Sequence, residues 1–297
     1  MECVESLEHN IQNMRVLKTM VTNVKKNNVE KKRSFLKWAG GKYQIVDRIN
    51  AVLPKGKRLI EPFVGSGTVF LNTDFERYVL ADTNLDLINL LKVLKREKES
   101  FIEYCATFFN PANNQKSAFL KHRVMFNTTK DLRLKAALFL YLNRHAFNGL
   151  IRYNSSGQYN VAFGDYKRPY FPEEEMLQFA KKLTRATIKQ ADFLQTLKRV
   201  KKGDVVYCDP PYVPLSETAN FTQYAQNGFG QEEQEALASM AKALSKQGIP
   251  VVLSNHDTRF VRKVYHGAKF SSFSVQRSIS CQGKTRGRAK ELLAVFT

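Results

Sequence analysis

Apolar residues recur along the chain in two periods. Ile45, Val46, Ile49, Val52 and Leu53 fall at helical spacing and stop at Pro54, which predicts a helix there. The same spacing predicts helices over Leu85–Leu94, Leu132–Leu142, Met176–Leu183 and Gln231–Gln247. Short apolar runs predict strands instead. One starts at Arg58 and enters the turn Gly65-Ser66-Gly67, with a helix beginning at Thr68; others are Tyr78–Ala81, Thr187–Phe193, Val205–Cys208 and Ile249–Leu253. Ser272–Ser280 and Glu291–Phe296 read as an antiparallel pair. Strand, glycine turn, helix and strand make the first βα unit of a doubly wound α/β sheet. Between about residues 85 and 172 the alternation lapses, and that segment reads as an insert. It carries Lys121, His122 and Arg123, a turn-rich stretch from Asn143 to Asn154, and a hairpin turn at Ser155–Gln158 leading into Tyr159–Phe163.

The strand at Val205 stops on Asp209-Pro210-Pro211-Tyr212. Two prolines fix φ and remove two backbone donors, and Asp209 is pushed towards an extended conformation. The result is a stiff turn with a carboxylate and a flat ring at the carboxyl end of a strand, where open α/β sheets bind ligands. An aromatic amine is a poor nucleophile because its lone pair is delocalised into the ring. Two acceptors on its hydrogens, Asp209 and the Pro210 carbonyl, would free that lone pair, and Tyr212 could stack on the ring. A plain Pro-Pro turn beside a core tyrosine is the bland alternative.

Charge changes the picture more than size does. In 297 residues, Lys+Arg 47 against Asp+Glu 27 leaves a net charge of +20, which points to a polyanion, nucleic acid ahead of a membrane surface. Cys3, Cys105, Cys208 and Cys281 lie far apart with no CxxC pair, which fits reduced thiols in a cytoplasmic, DNA-associated protein without structural zinc. No apolar run approaches a membrane span. Residues 1–33 are polar and end in a basic run, with Ile11, Met14, Leu17, Met20, Val21 and Val24 at helical spacing. They read as an extension of little effect, with an electrostatic arm as the alternative.

Two further turns complete a site. In Phe35–Lys42 a tryptophan and Gly40-Gly41 precede Lys42 at a helix start, though the full P-loop spacing is absent. Asp82 ends the second strand, where ribose hydroxyls are gripped in such folds. A dinucleotide enzyme would share that acid, but Gly65-Ser66-Gly67-Thr68-Val69-Phe70 lacks the complete GxGxxG pattern.

Together with Leu80–Asn84, Tyr141–Arg144, Asn148–Asn154, Ala219–Thr222 and Ser254–Asp257, these motifs resemble those of the DNA adenine-N6 methyltransferases of the Dam family, in one order over residues 34–297. The resemblance implies a Rossmann-like catalytic domain (34–84 and 173–297), an inserted helical and β-hairpin target-recognition domain (85–172), S-adenosylmethionine as methyl donor and the duplex sequence GATC as target. It assigns Trp38, Lys42, Asp82 and Asp209 to the donor, joined by Phe63, Gly65 and Gly67 of the glycine turn, and it makes Asp209, Pro210, Pro211 and Tyr212 the catalytic turn. Lys37 and Arg152 would read guanines, Phe147, Asn148 and Leu150 would touch base edges, and Arg123, Arg144, Asn154 and Asn160 would hold phosphates. Tyr166 would wedge into the duplex where the adenine leaves. The hairpin departs from the family at Ala162, where a proline is usual, which would relax discrimination at the thymine if that proline touches its methyl. A single chain without obligate partner is expected.

Other readings stay open. Asp192 either meets the donor's adenine or is a turn acid. Ser216–Gln226 reads as a lid, Ser254–Asp257 as structural rather than as carrying a general base in His256, and Gln282–Arg288 as a phosphate contact or a solvated turn. The Asp-Pro-Pro-Tyr geometry also suits cytosine N4 or an amine in RNA, and a DNA-binding protein on this scaffold is the rival outside enzymes.

Overall fold

The computed structural model describes residues 30–213, 229–276 and 288–297. The N-terminal stretch up to residue 29, the expected lid with Ala219–Thr222 and the basic turn at 282–287 lie outside the described residues. A compact unit runs from Lys32 to Thr297.

Seven strands form one sheet: β1 (Arg58–Glu61), β2 (Arg77–Asp82), β3 (Ala186–Gln190), β4 (Asp204–Cys208), β5 (Val251–His256), β6 (Lys269–Gln276) and β7 (Arg288–Phe296). Their order is β3-β2-β1-β4-β5-β7-β6. The first five are parallel, and β7 runs antiparallel to both β5 and β6. This is the Rossmann-like α/β fold. The chain winds from β1 outwards to β3, then returns to lay β4 on the other side of β1, with Ile60 opposite Val206. That reversal leaves a crevice at the carboxyl ends of β1 and β4. Strands β4 and β5 are buried throughout, including Asp204 at the start of β4 and Ser254, Asn255 and His256 at the end of β5.

Helix α1 (Val46–Val52) ends before Pro54, and α2 (Thr68–Asn72) starts from Gly67, whose φ of +68° is the left-handed turn out of β1. Helix α3 (Leu85–Glu97) is capped by Asn84, whose side chain accepts from the Leu87 amide at 3.0 Å. Then come α4 (Glu99–Ala106), α5 (Lys116–Thr128) and α6 (Leu132–His145), the last capped by Asp131. Helix α7 (Glu173–Leu183) opens on Glu173, Glu174 and Glu175, charges that suit a helix N-terminus. The short α8 (Phe193–Leu197), α9 (Gln231–Lys246) and α10 (Arg259–Val264) complete the described α-helices, and single 3-10 turns form at Lys42–Gln44 and Phe147–Gly149. None of these is long and apolar enough to cross a membrane.

One continuous core joins the sheet residues Leu59, Tyr78 and Leu80 to Leu87 and Leu91 of α3, Phe119 and Phe126 of α5, Ala137, Phe139 and Tyr141 of α6, and Tyr159 and Val161 beyond it. A second cluster gathers α9, α10 and β7 on β4 and β5.

Three local expectations are revised. The stretch from Asn143, expected as turn, continues α6, and Asn143, Arg144 and His145 are all buried in its last turn. Strand β3 ends at Gln190, and Asp192 caps α8 by accepting from the Gln195 amide at 2.8 Å, which is the turn-acid reading. The hairpin beyond Ser155 is held by single bridges, Tyr153 with Tyr159 and Ala146 with Phe163, in place of a ladder. Asn127 supplies the missing pairing, donating to the Tyr159 carbonyl at 3.1 Å and accepting from its amide at 2.9 Å.

Gly67 shows how the core sets the glycine turn. A Cβ there would lie 2.5 Å from the ring of Phe179, which packs edge-on against Phe35 and Phe70. Gly67→Ala combines a left-handed φ with this clash, so it should destabilise the fold by about 1–3 kcal/mol, read as a lowered Tm.

Candidate active site

Asp209 leaves β4 beside the end of β5 and is gripped from two sides. Ser254 on β5 donates to Oδ1 at 2.8 Å, and the Lys42 ammonium lies 2.8 Å from Oδ2. Lys42 is itself buried, and Gly40, at φ +75°, turns the chain so that the same ammonium reaches the Gly40 carbonyl. Among the described residues each carboxylate oxygen thus has one partner and keeps lone-pair capacity for another donor. Pro210 is buried and Pro211 exposed. The Pro211 carbonyl accepts from Gln234 of α9 at 2.8 Å, so among the described residues the Pro210 carbonyl is the one left for a ligand.

The Tyr212 ring packs edge-on against His256 at 4.8 Å, with the Lys42 ammonium over it at 4.7 Å. Its hydroxyl donates to Glu291 of β7 at 3.4 Å. Burial, with Asp209 nearby, pushes the Tyr212 phenol well above its ordinary pKa, so it stays a neutral ring. His256 Nδ1 lies 2.5 Å from the Val213 carbonyl, and Asn255 accepts from the Val213 amide at 3.1 Å. Gln234 and Tyr265 in turn hold Asn255. The residues after Ser254 therefore brace the backbone that follows Tyr212.

Across the crevice, the indole of Trp38 lies so close over Gly65 that a Cβ there would be 2.9 Å from Nε1. The Gly65 amide donates to Asp82 Oδ2 at 3.1 Å, and the Asn84 amide donates to Oδ1 at 3.0 Å. Burial raises the Asp82 pKa, while these amides and that of Thr83 pull it back. A carboxylate oriented by backbone amides suits ribose hydroxyls. Phe63 stacks on Phe193 at 5.7 Å and meets the edge of Phe229 at 5.5 Å. Contacts thus join Lys42 to Asp209 on one side, and Trp38 to Gly65 and Gly65 to Asp82 on the other, although the sequence separates these residues widely, while Gly67 faces the core ring of Phe179.

The sequence reading passed over Glu61. It ends β1 almost wholly buried, and no described residue bonds its Oε1. Burial lifts its pKa to about 8, with Asp209 adding to the rise and Lys182 opposing it. Lys182 of α7, pulled down to about 8 mainly by burial, donates to the Leu71 and Thr73 carbonyls at the end of α2. The signal in the sequence was a carboxylate inside an apolar strand.

The residues expected on DNA divide. Phe147 is 54% exposed and Asn148 is exposed at φ +53°, while Leu150 is half-buried. Lys37 is half-buried beside them, its ammonium 4.1 Å from the centroid of Tyr166. Arg152 is exposed and donates to Asn160 at 2.9 Å. Asn154 accepts from the Ser156 and Gln158 amides at 3.0 and 2.9 Å and so shapes the hairpin turn. Arg123 donates to the Val161 carbonyl at 3.1 Å. Ala162 is exposed, and its carbonyl accepts from the Phe147 amide at 2.9 Å. Arg144 is the exception. It is buried, donates to the Phe35 carbonyl at 2.5 Å and lies against Tyr170, so here it braces the leading segment rather than facing a phosphate.

A glycine turn after β1 and the Asp209-Pro210-Pro211 turn after β4 leave neighbouring strands of this Rossmann-like sheet. Residues 38–279 match the family described as D12 class N6 adenine-specific DNA methyltransferase. The DNA adenine methylase of Vibrio cholerae serotype O1 is 51% identical over 270 residues, covering 91% of this chain and 98% of that protein. Those of Salmonella typhi and Escherichia coli K12 are 50% and 48% identical over 268 residues, covering 90% of this chain and 96% of each relative. The chain belongs to this family of DNA adenine methyltransferases.

Glu61 gives the site a pH signature. Its carboxyl holds a proton more tightly folded (about 8) than at its ordinary value of 4.5. Its contribution to stability is therefore full below about 4.5 and is lost as pH rises through about 8. Thermal denaturation across that window should show Glu61→Gln losing less stability with rising pH than the parent chain. Parallel curves would mean that Glu61 does not titrate there.

Proposed function

We propose that the chain transfers a methyl group from S-adenosylmethionine to N6 of adenine in duplex GATC, extruding the base and working as a single chain on one strand at a time. The observation that carries this reading is Asp209, oriented by Ser254 and Lys42 at the switch point beside the Pro210 carbonyl. Trp38, Asp82 and the turn at Gly65 would hold the donor, which when bound supplies an electrophilic methyl on a sulfonium. The fit rests on the Asp82 carboxylate anchored by two backbone amides and on the bare backbone of Gly65 under the Trp38 indole.

Asp209 and the Pro210 carbonyl would accept the two hydrogens of the adenine amine and bring its lone pair out of the ring. The Tyr212 ring would stack on the base and fix its approach. As the nitrogen lone pair takes the methyl, the methyl–sulfur bond would break and a neutral thioether would leave; the acidic proton left on the nitrogen would then pass to water, with Asp209 the nearest carboxylate. Unstacking an adenine costs a few kcal/mol, which an inserted ring would offset. Tyr166 is one such ring, and the exposure of Phe147 favours it as a second. Lys37 and Arg152 would contact guanines, Asn148 and Leu150 base edges, and Arg123, Asn154 and Asn160 the phosphates. The basic excess and DNA substrate suit a cytoplasmic, DNA-associated enzyme.

Asp209→Ala should abolish transfer of a labelled methyl to a GATC duplex while duplex binding persists; undiminished turnover would reject the role given to Asp209. On duplexes altered at the thymine, Ala162→Pro should sharpen discrimination by up to about tenfold. Equal ratios for the two chains would separate Ala162 from thymine readout.

A further inference from the structure

Asn143 lies at the end of α6, fully buried, in a stretch whose polarity reads as loop. Its side chain makes three hydrogen bonds, all to backbone. Oδ1 accepts from the Lys37 amide at 2.9 Å, and Nδ2 donates to the Lys37 carbonyl at 2.8 Å and to the Gly149 carbonyl at 2.9 Å. Both amide hydrogens are used, and Lys37 is held on both of its backbone groups, as a strand residue would be by its neighbour. The opposite orientation of the amide would set donors against the Lys37 N–H, so only one arrangement satisfies all three groups.

The seam that Asn143 closes has no slack. A Cβ on Gly149, at φ +64°, would lie 2.4 Å from the Lys37 side chain. The Phe147 amide donates to Ala162, and the Gly164 amide to His145 at 2.8 Å. The reading turn at 147–150 is thus pinned to α6, to the hairpin and to Lys37. Beyond this held backbone, the Lys37 ammonium rests over the Tyr166 ring.

We propose that Asn143 is a positioning residue for base discrimination. It locks the backbone of Lys37 to that of Gly149, so that Lys37 and the turn at 147–150 meet the duplex as one rigid template. Good base contacts require side-chain ends held within a fraction of an ångström of their partners, and a reader on a slack backbone would satisfy wrong bases as readily as right ones. The inference rests on the GATC reading above.

The test compares Asn143→Asp, which turns an acceptor towards two carbonyls, with Gly149→Ala, which forces the same seam apart from the other side. The readout is the ratio of kcat/KM for a GATC duplex to that for duplexes with a substituted guanine. This ratio is independent of how much protein is folded. Leu244→Ala, a core change in α9 away from the seam, serves as the control for lost stability. Both seam variants should lower the ratio by about tenfold or more, with Leu244→Ala leaving it unchanged. Ratios equal to the parent's in both seam variants would overturn the assignment. A parent chain that does not discriminate at guanine would instead reject the GATC reading itself.

Discussion

The ammonium of Lys42 against the carboxylate of Asp209 joins two parts of the chain that have no other reason to meet. One arrives on the segment leading into the sheet, the other at the end of its fourth strand. With one end buried, the contact is shielded from water and depends on its supports. Gly40 turns the chain so the lysine can reach, and Ser254 fixes the far oxygen. Tyr212 then lies beneath the lysine, and Gln234 and Asn255 brace the backbone on either side of it. The stiffness of the two prolines would serve little if this contact let the carboxylate swing.

The proposed reading surface is joined to the same frame by buried polar side chains. The Tyr153 hydroxyl donates to Asp86 at 2.7 Å, at the start of the helix that follows the Asp82 turn, while Asn143 and Arg144 clamp the segment that carries Lys37, Trp38 and Lys42. Buried polar groups of this kind are satisfied only in one arrangement, and a slipped one leaves them unpaired. They specify geometry where apolar packing would tolerate several registers.

Much of this was legible in the sequence because it rests on local chemistry. The turn at Gly65, the acid at Asp82 and the stop at Asp209-Pro210-Pro211 follow from backbone rules that need no knowledge of distant residues. The antiparallel tail likewise appears as β6 and β7. The misreadings share one cause. Asn143, Arg144 and His145 are polar, so periodicity assigns them to a loop, yet each is buried with backbone partners, and for Asn143 and Arg144 those partners lie far away in sequence. The resemblance gives Arg144 to phosphate, and only its burial against the Phe35 carbonyl shows otherwise. Asp192 is an acid at a strand end like Asp82, but its bond to Gln195 makes it a helix cap. Glu61 and Lys182 sit on different elements, and nothing local announces that both are buried near each other.

The continuity of the core through α3, α5 and α6 into the sheet bears on how such an enzyme could be given a new target. A recognition module joined by a flexible linker can be exchanged like a tool head. Here residues 85–172 supply much of the packing beneath β1 and β2, so a transplanted segment would bring foreign side chains into the body it is meant to serve. If the proposed readers are correct, retargeting is open to the exposed positions, Phe147, Asn148, Arg152 and Ala162, changed one at a time over an unaltered interior.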